Sequence, residues 1–215
     1  MRVFNSTMGK VKDGQLEAAV GVAGEAAKLV SRHGGDVRFF LAGAGAEINS
    51  TLFSIEYESP EALGRAFDAL NQDAELQAFM TRVNAPNSPT VLTAQAMGME
   101  LPLGREPKAG KGSILEVHTS RLNPGRTEEA ISEAAEVCAF VEANGAVNAR
   151  LLQLTYAGLG SGLTVFTWEV ENMQAHARMA SAWFTDAGLA LQARTMTANP
   201  TSVQVSSELW NEVPL

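Results

Sequence analysis

An internal repeat is the feature of this sequence that most restricts its fold. Sliding the sequence along itself brings the middle of the first half onto the middle of the second. The matched pairs are Phe53 with Phe166, Glu56 with Glu169, Glu58 with Glu171, Ala62 with Ala175, Arg65 with Arg178, Asp73 with Asp186 and Leu76 with Leu189. The ends agree as well, since Glu100-Leu101-Pro102-Leu103 falls on Glu212-Val213-Pro214-Leu215. Residues 104–112 are rich in glycine, proline and charge, which is typical of a linker. We therefore expect two repeats, at 1–103 and 113–215, joined by a linker at 104–112.

The hydrophobic pattern predicts the elements of each repeat. The period switches between two and about 3.6 residues in the order strand, helix, strand, strand, helix, strand. This order is typical of the ferredoxin-like βαββαβ module. The second helix of the first repeat begins at Ser59-Pro60-Glu61, with serine as N-cap and proline at the first helical position. The glycines between the second and third strands are better explained as hairpin turns than as a nucleotide loop.

The bare side of each sheet predicts how the repeats associate. A four-stranded antiparallel sheet with both helices on one side leaves its other side uncovered, and the second repeat can cover it. We expect an α+β fold in which two tandem ferredoxin-like modules pack as an α/β barrel, forming an intrachain pseudo-dimer. Exposed sheet edges or helix faces leave a homodimer open.

Composition narrows the partners. The net charge of −8, with no stripe of lysine and arginine, argues against binding nucleic acid. Cys138 is the only cysteine, so neither an intramolecular disulfide nor a cysteine-based metal site can form. The apolar stretch from Leu16 to Val30 carries charged residues and is too short to cross a bilayer. With no secretion signal visible, we expect a cytoplasmic protein that has no membrane partner.

The order of elements and the helix start within Tyr57-Glu-Ser-Pro-Glu-Ala-Leu-Gly-Arg-Ala-Phe67 resemble the dimeric α/β-barrel superfamily. That superfamily includes cofactor-free antibiotic-biosynthesis monooxygenases, haem-degrading monooxygenases, chlorite-dismutase-like haem proteins, stress-responsive barrel proteins and NIPSNAP-like proteins. The resemblance implies that one polypeptide does here what two subunits do elsewhere. Because this fold supports so many activities, it does not select one of them.

A histidine and a carboxylate form the candidate catalytic pair. In the ferredoxin-like strand order the first and third strands are neighbours, which would place Glu116 and His118 beside Thr167 and Glu169. A carboxylate at Glu169 would orient the His118 imidazole and make it more basic, as proton abstraction from an acidic phenol or enol requires. Asn5 and Glu56 are the first-repeat counterparts of His118 and Glu169, and they are included in the candidate pocket.

The alternative is structural. Glu56 and Glu169 could instead pair with arginines such as Arg38 and Arg150 and form a buried polar lattice across the barrel. The sequence does not decide between the two interpretations.

Trp168 and His176 complete the candidate pocket. Trp168 lies on the strand face that should meet the helices, where it could wall a cleft for a hydrophobic or aromatic ligand. The alternative is an ordinary core tryptophan. His176, on the second helix of the second repeat, replaces Leu63 of the first repeat and is a conceivable haem ligand.

The comparison with haem-degrading relatives leaves haem in third place. Their pattern combines a first-strand asparagine, a third-strand tryptophan and a second-helix histidine in one module. Here Asn5 lies in the first repeat, whereas Trp168 and His176 lie in the second, where His118 replaces the asparagine. We therefore expect no cofactor, with haem as the exception to test.

Two functional classes remain open. The first is a cofactor-free monooxygenase, isomerase or cyclase acting on a small hydrophobic or aromatic metabolite. The second is a non-enzymatic barrel that binds such a metabolite or serves as an interaction or stress-response protein. The chain contains no His-Glu-x-x-His, no paired Cys-x-x-Cys and no phosphate loop, so we expect no metal site.

Overall fold

The computed structural model describes residues 1–195 and 199–215. Eight strands and six helices occupy these residues. The strands are β1 (Val3–Val11), β2 (Asp36–Ala44), β3 (Ser50–Tyr57), β4 (Thr90–Glu100), β5 (Ile114–Leu122), β6 (Val147–Tyr156), β7 (Thr164–Val170) and β8 (Ser202–Glu212). The helices are α1 (Leu16–Ser31), α2 (Pro60–Gln72), α3 (Ala74–Val83), α4 (Thr127–Ala143), α5 (Met173–Ala182) and α6 (Asp186–Thr195).

The strands form one closed antiparallel barrel in the order β1-β3-β2-β8-β5-β7-β6-β4. Strands of the first half run in the order β4-β1-β3-β2, and those of the second half run in the order β8-β5-β7-β6. We expected two sheets that cover one another, but the sheets join edge to edge. β2 pairs with β8 and β4 pairs with β6, so hydrogen bonds close the barrel on both sides.

Each half begins its second long helix at a side-chain cap. The Ser59 hydroxyl accepts the amide N–H of Ala62, as the sequence predicts for α2. In the second half, the Asn172 side chain accepts the amide N–H of Ala175 and starts α5. The Asn172 cap fixes the start of α5, the helix that carries His176.

The outer face of the barrel packs against the helices in two apolar clusters. One includes Val3, Ile55, Tyr57 and Leu63 in the first half, and the other includes Trp168, Val170 and Met179 in the second. The inner faces of the strands enclose a cavity of about 590 Å³. The molecule therefore offers two chemically distinct places for a ligand, one under the helices and one inside the barrel.

The segment between β4 and β5 follows one end of the barrel. The buried Glu142 carboxylate of α4 accepts the Lys108 amide at 2.8 Å and also binds Arg105. Gly112 donates its amide to Glu169 at 2.8 Å. A Cβ at Gly112 would lie 2.3 Å from the Val170 carbonyl oxygen, so only glycine fits there. None of the helices in the described part of the chain is both long and apolar enough to cross a membrane.

Candidate functional site

Strand register separates the predicted catalytic pair. Glu116 lies opposite Trp168 and His118 lies opposite Phe166, whereas Glu169 lies opposite Leu115. Since neighbouring residues of a strand point to opposite faces, His118 faces the helices and Glu169 faces the barrel interior. The predicted His118–Glu169 pair is therefore wrong.

A different carboxylate meets the histidines. His176 Nδ1 of α5 lies 2.6 Å from Glu116 Oε1, and His118 Nε2 lies 3.6 Å from Glu116 Oε2. The Glu116 side chain is only 6% exposed, whereas His118 and His176 are 26% and 21% exposed. One buried carboxylate thus lies between two imidazoles that both reach solvent. We call Glu116, His118, Trp168, His176 and Ser207 the outer-face cluster.

The charge of Glu116 is set by two opposing effects. Burial raises the pKa of its carboxyl, but the neighbouring His118 and His176 side chains lower it by more, and the net pKa lies below its usual value. Glu116 is therefore ionised at neutral pH and accepts the Nδ1–H of His176. That hydrogen bond leaves His176 Nε2 as the nitrogen available to act as a base. Nε2 has no hydrogen-bond partner among the residues that the structure describes.

Ser207 of β8 is a member of the outer-face cluster that sequence reasoning missed. Its hydroxyl lies 2.7 Å from His118 Nδ1 and accepts a hydrogen bond from Gln204. The signal that could have found it is the strand order, because β8 is the other neighbour of β5 and places Ser207 opposite His118. The sequence analysis paired β5 only with β7.

Trp168 forms the floor of the outer-face cluster. Its ring stacks on His118 with the ring centroids 4.5 Å apart and the planes 19° apart. At 4% exposure it is also a core residue, in contact with the cluster that includes Met179. The tryptophan is therefore a core residue, as the alternative predicted, and its role as the wall of a ligand cleft stays a prediction.

Glu56 and Glu169 belong to a lattice of ion pairs inside the barrel, as the structural alternative predicted. Arg38 of the first half binds Glu169 at 2.7 Å and Glu212 at 2.7 Å, both in the second half. Burial lowers the pKa of Arg38, but these carboxylates raise it by more, so its guanidinium stays charged.

Arg150 of the second half makes the equivalent contacts with carboxylates of the first half. It lies 3.1 Å from Glu56 and 3.8 Å from Glu100, both in the first half. Arg2 also binds Glu56. Each half thus supplies an arginine to the carboxylates of the other, and this exchange stabilises the closed barrel. Glu56 lies inside the barrel and does not contact the outer-face cluster.

Asn5 also lies away from the outer-face cluster. It is on the outer face of the first half, opposite Ile55 in β1–β3 pairing. The sequence comparison matched Asn5 with His118, but strand pairing matches it with Glu116, because Asn5 lies opposite Ile55 and Glu116 lies opposite Trp168. Leu63, at the position of His176, is apolar and buried. The structure does not bring Asn5 together with the other candidate residues.

The described residues include neither a reactive cysteine nor a metal-binding group of side chains. Burial raises the pKa of the Cys138 thiol to about 12, so this fully buried cysteine is not a nucleophile at neutral pH. Within residues 1–195 and 199–215, no three histidine, cysteine or acidic side chains are grouped so that they could hold a metal ion.

Solved structures with the same architecture include proteins with several activities. A candidate monooxygenase from Lactobacillus acidophilus matches with a TM-score of 0.66 and 9% identity, covering 98% of this chain and 93% of its own. An anthrone oxidase-like protein matches with a TM-score of 0.56 and 14% identity, covering 99% and 92%. A mutant chlorite dismutase from Candidatus Nitrospira defluvii matches with a TM-score of 0.58 and 12% identity, covering 99% and 92%. The chain has the dimeric α/β-barrel fold.

Sequence comparison adds nothing to this fold assignment. No family model matches the chain. No curated protein matches it either. The dimeric α/β-barrel fold of this chain is thus recognised through structure, and its chemistry has to be argued from its own side chains.

Proposed function

We propose that the outer-face cluster is the active site of a cofactor-free enzyme that removes a proton from a small aromatic, enolisable substrate. The observation that carries the proposal is the 2.6 Å contact between His176 Nδ1 and the buried, ionised Glu116. A carboxylate on Nδ1 fixes the tautomer and leaves Nε2 to accept a proton. His176 is then the base, and Glu116 is the residue that positions it.

His118 and Trp168 supply the remaining parts. The His118 ring stacks on the buried Trp168 and is 26% exposed, so the exposed part of the imidazole offers a flat surface that suits an aromatic substrate. His118 Nε2 is buried without a hydrogen-bond partner among the described residues and lies 3.6 Å from Glu116 Oε2. The carboxylate can therefore share a proton with His118 as well as with His176. His176 replaces His118, the base predicted from the sequence, because His118 Nδ1 contacts Ser207 and its Nε2 is buried beside Glu116, which leaves neither nitrogen open to a substrate.

The reaction class fits the fold neighbours. An anthrone oxidase-like protein and candidate monooxygenases share the fold, which makes anthrone a sensible probe. Deprotonation of anthrone gives an enolate that reacts with molecular oxygen. Anthrone and one O₂ then yield anthraquinone and one water, so no other oxidant or reductant is required.

The test is oxygen consumption and anthraquinone absorbance with the full chain and anthrone. His176→Ala should lower turnover about 10²- to 10⁴-fold, the usual contribution of a general base. Glu116→Gln should lower it about tenfold or more and move the pH profile, because the imidazole loses its orienting charge. His33→Ala is the matched control, since His33 binds Asp73 and lies outside the cluster. Circular dichroism of each variant checks folding.

The outcomes separate the two functional classes. Full turnover by the His176→Ala variant would reject the base assignment. Binding of anthrone by the wild-type chain without turnover would favour the non-enzymatic barrel.

Haem is the second candidate, because a carboxylate on Nδ1 is the usual partner of a metal-binding histidine. The surroundings do not fit it. Behind the cluster, Trp168, Met179 and Val170 are each at most 4% exposed and fill the layer between sheet and helices. A macrocycle would have to displace this core. Titration of haem, followed by its absorbance, should give no histidine-ligated spectrum.

A further inference from the structure

The barrel interior is a cavity separate from the outer-face cluster. An eight-stranded barrel is wide enough either to be filled by its own side chains or to hold one small ligand. Here about 590 Å³ remains, which lies in the range of small-molecule sites. The apolar part of the wall includes Phe4, Phe40, Leu52, Leu115, Val117 and Leu152.

The arginines of the cavity are already neutralised. Arg38 is held by Glu169 and by both oxygens of Glu212, and Arg150 is held by Glu56 with Glu100 close by. Binding an acidic ligand would require breaking these charge-assisted contacts in a partly buried site. The interior between the strands is therefore poorly suited to a carboxylate or phosphate, and the lysines that line the cavity, Lys108 and Lys111, lie in the exposed segment between β4 and β5.

Among the carboxylates that the described strands contribute to this wall, Glu208 is the exception. It lines the cavity from β8, opposite Val117 in the β5–β8 pairing. Its carboxylate accepts the indole N–H of Trp210 at 3.0 Å. No arginine, lysine or histidine in the described part of the chain forms an ion pair with it. Ala96 occupies the equivalent position in the first half, so the carboxylate is peculiar to one side of the barrel.

We infer that the barrel interior binds an apolar or aromatic molecule that carries a protonated amine. The ammonium group pairs with Glu208, whose negative charge has no other cationic partner, and its N–H groups donate to the carboxylate. The apolar body of the ligand lies along the wall formed by Val117, Leu115 and Phe40. This site is separated from the outer-face cluster by the sheet itself, so both can be occupied at once.

Three probes with one ring system test the inference: naphthylmethylamine, naphthylmethanol and naphthoate. Calorimetric titration of the full chain should give amine binding about tenfold or more tighter than alcohol binding, and naphthoate should bind weakest. Trp210 lines the cavity, so amine binding should also change tryptophan emission in a Trp168→Phe background. Equal affinity for amine and alcohol, no binding of any probe, or preference for naphthoate would each overturn the inference.

Variants locate the site. Glu208→Gln should reduce amine affinity to that of the alcohol and leave alcohol binding unchanged. Glu171→Gln, which removes an exposed carboxylate of the same half, is the matched control and should change neither. Val117→Trp, or Val117→Phe if the first variant does not fold, should weaken binding of amine and alcohol together. Unaltered amine binding in the Glu208→Gln protein would contradict the assignment, whatever the fate of the anthrone assay.

Discussion

The outer faces of the two halves occupy equivalent positions but differ in chemistry. Because Ile55 matches Trp168 and Phe53 matches Phe166, strand pairing makes Asn5 the counterpart of Glu116 and Thr7 the counterpart of His118, while Leu63 matches His176. In the first half, Ile55 and Leu63 are buried and apolar, and Asn5 and Thr7 are uncharged. In the second half, these positions hold a buried carboxylate between two histidines. The comparison indicates that only the second half keeps ionic groups on this face, although buried ionic groups cost solvation that an apolar core does not.

The barrel interior shows the opposite behaviour. There the ion-pair residues Arg38, Glu56 and Glu100 match Arg150, Glu169 and Glu212. Each half neutralises the arginine of the other. Symmetry is thus retained where the halves depend on each other and lost where each half packs its own helices. Four predictions test this contrast, from the largest expected effect to the smallest.

The ion-pair lattice should lose more stability when Glu169 is removed than when Glu56 is removed. Glu169 is 2% exposed and holds Arg38, Asn148 and the Gly112 amide, whereas Glu56 is 21% exposed. Glu169→Ala should lower the free energy of unfolding by about 3–5 kcal/mol, because the buried Arg38 keeps only Glu212, and the Asn148 side chain and the Gly112 amide lose their acceptor. Glu56→Ala should cost only about 1–2 kcal/mol, since water can reach the exposed site. Urea denaturation of both variants measures the difference, and equal losses would mean that the two ends of the lattice are equally buried.

The second prediction replaces ionic groups on the outer face of the second half with apolar residues. A Glu116→Val, His176→Leu double variant should be as stable as the wild type or up to about 1–4 kcal/mol more stable, as when buried ionic groups are replaced by apolar ones. Anthrone turnover should disappear. Thermal unfolding and the oxygen assay check both results. A clear loss of stability would show that the outer-face cluster also supports the fold.

The third prediction concerns pH. The folded-state pKa of Glu116 lies below its unfolded value of about 4.3, so its contribution to stability is complete above that pH and is lost as pH falls through the folded pKa. Below about pH 4.3, the wild type should lose stability faster than Glu116→Gln, by at most about 1.4 kcal/mol per pH unit for one proton. Denaturation curves of the two proteins between neutral pH and pH 3 give the difference. Parallel curves would contradict the lowered pKa of Glu116.

The smallest expected effect is a similar loss of stability in the two halves when the helix caps are removed. Ser59→Ala and Asn172→Ala each remove the side chain that accepts an amide at the start of α2 or α5. Each substitution should lower the free energy of unfolding by about 0.5–2 kcal/mol. Because Asn172 starts the helix that carries His176, only its loss should also lower turnover. Equal turnover in both variants would show that the position of His176 does not depend on this cap.

Much of the fold was predictable because its signals are local. The repeat and the order of strands and helices follow from hydrophobic periods, and the Ser59 cap follows from residue type. The lattice partners were also predictable as an alternative, since charged residues at inward positions require opposite charges. The join between β2 and β8 was not, because strand edges carry no mark in the sequence of what they will pair with.

The sequence predicted three of the five residues of the outer-face cluster as site residues, but not the contacts between them. His118, Trp168 and His176 do meet, yet the carboxylate between them is Glu116 and not Glu169. Glu208 and Ser207 were overlooked, because their roles depend on β8 lying beside β5.

The sequence by itself determined that the chain contains a repeated strand–helix order and which residues share a face within each strand. Only the tertiary structure decided which face of β5 joins which face of β7, and so which carboxylate the histidines meet. The physical reason is that side chains alternate with a period of two, so a difference of one residue in register moves every side chain of a strand from the barrel interior to the helix side.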